Sequence, residues 1–304
     1  MNILITGGAG YLGTELCLRL MQRTDIETVT VYDNLSRKNF NFFLGPEKLD
    51  SKVRFVEAEI LDSYTLEKEV NKADCVVHLA AKVTTPFADE SAHLFDQVNN
   101  WGTAELCRAA ENSSRCKRII YMSSAGVYGS GEEAVNLTTP PNPKTFYGIS
   151  KLKGERHAER LAGKKEVSIV RCANVYGYSK SMRFDAVINR FVLHARHHGR
   201  VTINGDGDQK RAFVHVDRVS LFLERLIFSA NMQPRYNLTD ADHTVNDIAY
   251  TLKEILPETE MLYVDQQLKL RQITVAPDRN VDALIGAKEI TLEEELREFS
   301  DKMA

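Results

Sequence analysis

The alternation of strand-like and helix-like segments constrains the fold of this 304-residue chain more than any other feature of the sequence. Short runs rich in β-branched residues, such as NILIT, TVTVYD and RIIYMSS, are separated by runs of helical periodicity, such as YLGTELCLRLMQR. Strands separated in this way pair in parallel, with crossover helices on both faces of the sheet. The sequence therefore predicts an α/β fold with a doubly wound parallel sheet. The alternation loosens after about residue 174, where we expect a smaller C-terminal α/β lobe to begin.

Composition limits the partners that the chain can have. Its contents of 43% hydrophobic and 27% charged residues are those of a globular protein, and no apolar run approaches the ~18 residues of a membrane span. The net charge of -3 argues against a general affinity for nucleic acid or anionic membrane. Because the start MNILIT lacks the features of a signal peptide, we expect a cytoplasmic location. The five cysteines lack CxxC spacing and are expected to be reduced core thiols.

The motif TGGAGYLG follows the first predicted strand and begins the first predicted helix. Its residues Gly7, Gly10 and Gly13 have the spacing GxxGxxG. Glycines in this position allow a tight turn and bring backbone N–H groups to a pyrophosphate at the helix N-terminus. Asp33 ends the next strand, twenty residues after Gly13, where a carboxylate binds an adenosine ribose and repels a 2′-phosphate. Together these features predict a Rossmann site for a dinucleotide, with NAD favoured over NADP.

A second motif indicates proton transfer. Tyr147 and Lys151 are four residues apart in TFYGISK and share one helix face, while Ser124 ends the strand-like RIIYMSS. Side chains at the carboxyl edge of a parallel sheet face the ligand crevice. The ordinary pKa of a tyrosine is near ~10, and a nearby ammonium and nicotinamide cation would favour the phenolate. We therefore predict that Ser124, Tyr147 and Lys151 form a catalytic redox site, in which the serine hydroxyl holds the reacting oxygen.

These motifs together resemble the extended short-chain dehydrogenase/reductase family, in its branch of nucleotide-sugar epimerases and dehydratases. The resemblance runs from residue 1 to about 217 and includes HLAA, NNWGT, SSAGVYG, RCANVYG and, extending slightly beyond, GDGDQKRAFVHVDRV. It implies a Rossmann domain over residues 1–173, to which residues 205–240 return in part, and a smaller substrate-binding lobe over 174–304. It also implies NAD as the cofactor, a nucleotide sugar as the substrate and a homodimer.

The resemblance assigns roles to individual residues of this sequence. The implied cofactor residues are Gly7, Gly10, Tyr11, Leu12 and Gly13 at the pyrophosphate, Asp33 and Asn34 at the adenosine ribose, Glu59 and Ile60 at the adenine, Leu79, Ala80 and Ala81 along the cleft, Asn99 in support, and Tyr147 and Lys151 at the nicotinamide ribose. The implied substrate residues are Ser124 and Tyr147 at the sugar, with Asn174 and Arg211 at the diphosphate. A turn-forming Asn174 and a surface ion pair of Arg211 are the alternatives. Arg271 is a further phosphate-binding candidate.

The residues after Ser124 favour one reaction within this branch. Dehydratases that the chain resembles carry an acid just after the catalytic serine or threonine, whereas this chain has Ala125 and Gly126, as in the SSAxVYG of epimerases. The resemblance therefore implies an epimerase that oxidises a nucleotide sugar transiently, most simply at C4, and returns the hydride to the opposite face of the keto-sugar. A nucleotide-sugar dehydratase, a net NAD(P)-dependent sugar or alcohol oxidoreductase and a non-catalytic dinucleotide sensor are the alternatives.

Several other residues carry weaker signals. Arg37 is close to Asp33 in sequence, but we expect an exposed loop arginine. Trp101 is expected to pack in a helix and not to stack on a sugar. Lys82 follows HLAA and is either a phosphate contact or an exposed loop lysine. The histidines at helical spacing are expected to form a solvated helix face without a metal, and they are His194, His197 and His198.

Overall fold

The computed structural model describes residues 1–44, 49–83, 92–265 and 272–303. Its strands are β1 (Asn2–Thr6), β2 (Thr28–Asp33), β3 (Val53–Glu57), β4 (Cys75–His78), β5 (Arg118–Ser124), β6 (Glu166–Cys172), β7 (Asn174–Tyr176), β8 (Arg200–Asn204), β9 (Lys210–His215), β10 (Arg235–Leu238), β11 (Ala241–Thr244) and β12 (Glu260–Val264). Its α-helices are α1 (Tyr11–Met21), α2 (Ser63–Val70), α3 (Ala92–Phe95), α4 (Gly102–Asn112), α5 (Phe146–Glu159), α6 (Val187–His198), α7 (Val216–Phe228), α8 (Val245–Ile255), α9 (Arg279–Ile285) and α10 (Leu292–Lys302). Within these ranges, no helix has the length and apolar character to cross a membrane.

Seven strands form one parallel sheet in the order β10-β6-β5-β4-β1-β2-β3. β1 pairs with β2 on one side and with β4 on the other, so that Thr6 lies beside both Tyr32 and His78. The chain adds β2 and β3 on one side of β1 and then crosses to build the other side from β4 outward. Ligands of open parallel sheets bind at such a reversal of strand order, outside the carboxyl ends of the strands. The prediction of a doubly wound parallel sheet is confirmed.

Helices cover both faces of this sheet because the strand side chains alternate in direction. Ile3 and Ile5 pack in one core, which also contains residues of α1 and α7 such as Leu16 and Phe222. Leu4 points the opposite way and packs in a second core with residues of α2 and α4, among them Leu66. All five cysteines are buried and free, which confirms the expectation of core thiols.

A second lobe contains the strands that lie outside the parallel sheet. β9 pairs in parallel with β7 and antiparallel with β11, and β8 pairs in parallel with β12. α6, α8 and α10 enclose a third core that includes Phe191, Ile248 and Phe299. Capping boxes begin α8 after Thr244 and α10 after Thr291. β10 belongs to the parallel sheet although it lies between elements of the second lobe in sequence, and the domain boundary at residue 173 stays a prediction.

Candidate active site

A cleft of about 650 Å³ lies between the carboxyl ends of the parallel strands and the second lobe. Its volume falls in the range of small-molecule sites, which is roughly 300–1,000 Å³. The residues of the predicted site that line it are Gly7, Gly10, Tyr11, Leu12, Gly13, Asp33, Asn34, Glu59, Ile60, Leu79, Ala80, Ala81, Ser124, Tyr147, Lys151, Asn174 and Arg211. The fold thus brings residues that are widely separated in the chain into one cavity.

The glycine turn between β1 and α1 depends on the absence of side chains. Gly7 has a φ of 69°, in the left-handed region that glycine favours, and a Cβ there would lie 2.6 Å from the backbone nitrogen of Ala80. A Cβ on Gly13 would lie 2.5 Å from the Cα of Gly8. Gly10 precedes α1 and offers no side chain to cap it. The turn therefore leaves the uncapped helix N-terminus open to an anion such as a diphosphate.

Asp33 lies at the carboxyl end of β2, next to this turn. One carboxylate oxygen accepts a hydrogen bond from the Ala9 backbone N–H at 3.1 Å, and the other accepts one from the Leu35 N–H at 2.8 Å. Burial raises the pKa of Asp33 and these two hydrogen bonds oppose that effect. Beside it, the Asn34 side-chain amide donates to the Glu59 carboxylate at 2.8 Å. This end of the cleft therefore presents a fixed acceptor with hydrogen-bonding capacity for a ribose.

The three predicted catalytic residues meet at the other end of the cleft. Ser124 ends β5, and its hydroxyl oxygen accepts the Gly126 N–H at 3.1 Å, which begins a short 3-10 helix. Tyr147 and Lys151 lie on successive turns of α5, which begins directly after Thr145 because the threonine hydroxyl caps the helix N-terminus. The fold therefore places the serine of β5 against the helix face that carries the tyrosine and the lysine.

Burial is the largest influence on the pKa values of Tyr147 and Lys151. Burial raises the pKa of Tyr147, and the Ser124 hydroxyl and the positive charge of Arg183 oppose the increase. Burial lowers the pKa of Lys151 to about 7, against the opposing charge of Glu155. In the protein alone, burial therefore favours the neutral phenol of Tyr147. That an ammonium and a nicotinamide cation together favour the phenolate stays a prediction.

A buried ion pair between Arg171 and Glu155 connects the elements that carry the trio. The guanidinium of Arg171 on β6 donates to both carboxylate oxygens of Glu155, at 2.9 and 2.7 Å. Ser123 donates to the same carboxylate at 2.5 Å, and the Arg171 guanidinium lies 4.7 Å from the centre of the Tyr128 ring. Because Glu155 follows Lys151 by one helical turn and Ser123 precedes Ser124, this network ties β5, β6 and α5 together beneath the site.

Asn99 lies behind the cleft wall and is fully buried. It belongs to the π-helical turn Asp96–Trp101 between α3 and α4, a local distortion that is common at functional sites. Its side chain accepts from the Lys82 N–H at 2.8 Å and donates to the Lys82 carbonyl at 2.9 Å and to Ser150 at 3.0 Å. It thereby links the segment after β4 to α5, while Lys82 itself lines the cleft.

The predicted substrate residues come from the second lobe. Asn174 begins β7, and its side chain donates to the Ala212 carbonyl at 2.9 Å, so it joins two strands and does not form a turn. Arg211 lies on β9 and lines the cleft. Arg271 lies outside the residues that the structure describes.

The loop after β7 adds charged residues that no motif indicated. Arg183 forms a two-fold contact with Asp185, at 3.1 and 2.8 Å, and both side chains line the cleft. Arg37 also lines the cleft and lies 3.9 Å from Asp185, with 42% of its side chain exposed. The prediction of an exposed loop position for Arg37 is confirmed, and the structure adds that this exposed side chain borders the cleft. Only the loop conformation brings these residues together, so sequence spacing could not reveal them.

Tyr11 connects the glycine turn to the second lobe. Its hydroxyl donates to the Gly177 carbonyl at 2.5 Å and accepts from the Asn189 side chain at 3.3 Å. Its backbone therefore belongs to the first turn of α1, as the sequence predicted, while its side chain contacts the second lobe.

Two weaker features stay outside the cleft. Trp101 is 57% exposed, so the prediction that it packs in a helix is wrong, and it does not line the cleft. His194 and His198 contact each other on α6 with ring centres 5.3 Å apart. Across the described part of the chain, no group of three or more potential metal ligands occurs.

Comparisons with known proteins agree with this geometry. A model of the NAD dependent epimerase/dehydratase family matches residues 3–237. A putative UDP-glucose 4-epimerase from Methanocaldococcus jannaschii is 32% identical over 72% of this chain and 70% of its own. A dTDP-D-glucose 4,6-dehydratase from Dictyostelium discoideum is 28% identical over 82% of this chain, which spans only 60% of that protein. The structure of UDP-glucose 4-epimerase from Thermotoga maritima with UDP-glucose has a TM-score of 0.86 and 26% identity, and covers 100% of this chain and 98% of that one.

The buried ion pair generates a prediction about stability. Arg171→Met leaves the Glu155 carboxylate buried without its cation, so we expect the free energy of unfolding to fall by about 3–5 kcal/mol. The double variant Glu155→Gln/Arg171→Met removes both charges and should recover part of that loss. Urea denaturation near neutral pH measures both effects. A double variant that is no more stable than Arg171→Met alone would contradict the pairing.

Proposed function

The chain belongs to the NAD-dependent epimerase/dehydratase family, and on that premise we propose that it epimerises a nucleotide-activated sugar by transient oxidation. The observation that carries this choice is the pair Ala125 and Gly126 directly after Ser124, because neither side chain can transfer a proton. The elimination of water by a dehydratase requires a second group of that kind, whereas transient oxidation does not.

The other acids of the cleft support the same choice. Within the part of the cleft that the structure describes, the acidic residues are Asp33, Glu59 and Asp185. Asp33 is held by two backbone N–H groups beside the glycine turn, and Glu59 is bound to Asn34. Asp185 is engaged by Arg183.

NAD is the cofactor of this family, and the residues of the cleft fit it. The glycine turn would hold the diphosphate at the uncapped N-terminus of α1, and Asp33 would accept the hydroxyls of the adenosine ribose. A carboxylate there disfavours a 2′-phosphate. Lys151 would donate to the nicotinamide ribose. The chemistry that NAD supplies when bound is reversible hydride transfer.

Tyr147 is the proton carrier of the proposed reaction. As the phenolate it takes the proton of a sugar hydroxyl, at C4 in our proposal, while that carbon becomes a ketone. The keto-sugar turns over within the cleft, and Tyr147 returns the proton when the carbon is reduced on its opposite face. Ser124 holds the reacting oxygen by a hydrogen bond, and the charge of Lys151 favours the phenolate over the buried phenol.

The nucleotide end of the substrate would lie against the second lobe. We propose that Arg211 binds the diphosphate, because an arginine presents forked donors to phosphate oxygens and this one lines the cleft. Asn174 would contribute from the adjacent strand β7, where its position is fixed by the hydrogen bond to Ala212. These contacts do not identify the nucleotide base or the sugar of the substrate.

A dehydratase is the second candidate, favoured by the 28% identity to a dTDP-D-glucose 4,6-dehydratase.

A homodimer also belongs to our proposal. Its support is the exposure of Phe146 and Ile149 on α5 and of Trp101 nearby, which leaves apolar surface available to a second copy. The cytoplasmic location stays a prediction of the sequence.

A substrate screen tests the proposed reaction. The purified protein is incubated with UDP-, GDP-, CDP- and dTDP-sugars, and the products are identified by NMR while absorbance reports reduced nicotinamide. We expect one sugar to be converted to its epimer without net formation of NADH. Stoichiometric NADH would indicate a dehydrogenase, loss of water would indicate a dehydratase, and no turnover of any sugar would indicate a dinucleotide sensor.

Tyr147→Phe tests the proton carrier. The variant keeps the ring and the helix but cannot exchange a proton with the sugar, so we expect turnover to fall by at least ~100-fold, at the lower end of general acid–base contributions. NAD affinity, measured by calorimetry, should change little. Retention of most of the activity would overturn the assignment of Tyr147.

Asp33→Asn tests the basis of cofactor choice. The amide keeps the shape of the side chain but removes the charge and one acceptor, so we expect NAD affinity to fall by roughly 10-fold or more. The affinity for NADP should rise relative to that for NAD, because the repulsion of the 2′-phosphate is gone. Equilibrium binding of both cofactors measures the change, and an unaltered ratio would show that Asp33 does not discriminate.

A further inference from the structure

Lys151 is a buried cation whose surroundings are unusual. Only 2% of the residue is exposed, and its ammonium lies 4.5 Å from the centre of the Tyr121 ring. A buried ammonium is costly unless something replaces its hydration, and the face of an aromatic ring is one such replacement. The ring of Tyr121 therefore offers a compensating interaction that neither the catalytic motif nor the family assignment includes.

Several contacts fix the Tyr121 ring in this position. The residue is 1% exposed on β5, and its hydroxyl donates to the Lys151 backbone carbonyl at 3.2 Å. Gly154, one turn farther along α5, leaves the space that the phenol occupies, because a Cβ on Gly154 would overlap the Tyr121 hydroxyl. The strand, the helix carbonyl and the glycine thus hold the ring beneath the lysine.

His78 lies on another side of the same ring. The two ring centres are 5.6 Å apart, and the imidazole is bound at both nitrogens, to Thr6 at 2.6 Å and to Thr103 at 3.0 Å. Burial, and secondarily the charge of Lys151, lowers the pKa of His78 to about 3. His78 is therefore neutral near physiological pH and does not compete with Lys151 as a second cation on the ring.

We propose that Tyr121 is a positioning residue for Lys151, whose ring face keeps the buried ammonium charged and directed into the cleft. The titratable groups that interact with Lys151 come from three elements: Glu155 from its own helix α5, Tyr121 from β5 and His78 from β4. Of these, Glu155 is already paired with Arg171, so the Tyr121 ring is the contact that we assign to the Lys151 ammonium.

The direction of the effect follows from the protonation of lysine. The ammonium exists below its pKa, which burial already places at about 7. Removal of the ring removes a stabilising contact of the charged form only, so the pKa falls and the charge is lost at a lower pH. A cation–π contact in a desolvated site corresponds to a shift of about one pH unit.

The experiment compares three variants by an NMR titration of lysine side chains labelled at Cε, in the purified protein with NAD present. The Lys151 signal is assigned by its absence from Lys151→Met. Tyr121→Leu should lower the Lys151 midpoint by about one pH unit. Tyr121→Phe, which keeps the ring, should leave the midpoint near that of the unaltered protein. Tyr236→Leu removes a comparably buried ring from β10, which is separated from β5 by β6, and should leave the Lys151 midpoint unchanged.

Two results would overturn the proposal: a midpoint that does not move in Tyr121→Leu, or one that moves equally in Tyr236→Leu. Should Tyr121→Leu not fold, Tyr121→Met fills a similar volume without a π face and gives the same comparison. The inference rests on the proposed function in treating Lys151 as part of the active site, but the titration needs no turnover. A shifted midpoint in a protein that converts no sugar would uphold the role of Tyr121 and count against the epimerase.

Discussion

The parallel pairing of β1 with both β2 and β4 is the constraint on which the site depends. It sets Thr6 beside Tyr32 and His78, and the sheet grows in opposite directions from this point. Neighbouring segments that leave the sheet there diverge and open a crevice. The glycine turn must fit between them, which is why Gly7 approaches Ala80 so closely. The location of the cofactor site is therefore a property of backbone register, and side chains only refine what binds there.

Burial and charge oppose each other at the catalytic end of the cleft. Loss of hydration raises the pKa of Tyr147 and lowers that of Lys151, so both effects favour the neutral forms. The proposed reaction needs the charged forms, and the surroundings supply opposing contributions from Ser124, Arg183 and Glu155. The positive nicotinamide ring of bound cofactor would add to them. A site that becomes active only when its cofactor completes the electrostatics is consistent with this balance.

The sequence alone was sufficient for the parts of the account that depend on local pattern. The strand and helix periods predicted the parallel sheet, and the glycine spacing with Asp33 predicted the dinucleotide turn. The catalytic trio followed from helical spacing and from the end of a strand. The parallel sheet and the positions of these motifs could be predicted because each depends on few residues within one or two elements, where spacing determines geometry. The roles of the individual site residues stay predictions.

The remaining features depend on contacts between distant segments. In the sequence, Tyr121 looks like an ordinary core residue of β5. Only the packing of α5 at Gly154 places its ring against the Lys151 ammonium. The contacts of Asp185 with Arg183 and Arg37 depend on a loop conformation. Trp101 was expected to pack within a helical segment, yet it ends a π-helical turn and is exposed. No spacing rule contains this information.

The fate of a deuterium label tests the central claim most directly. The nucleotide sugar that the enzyme converts is prepared with deuterium on the reacting carbon, and the product is analysed by NMR and mass spectrometry. Transient oxidation with return of the same hydride predicts that deuterium stays on that carbon, now with inverted configuration. Deuterium in released NADH, or on a different carbon of a product that has lost water, would contradict the account.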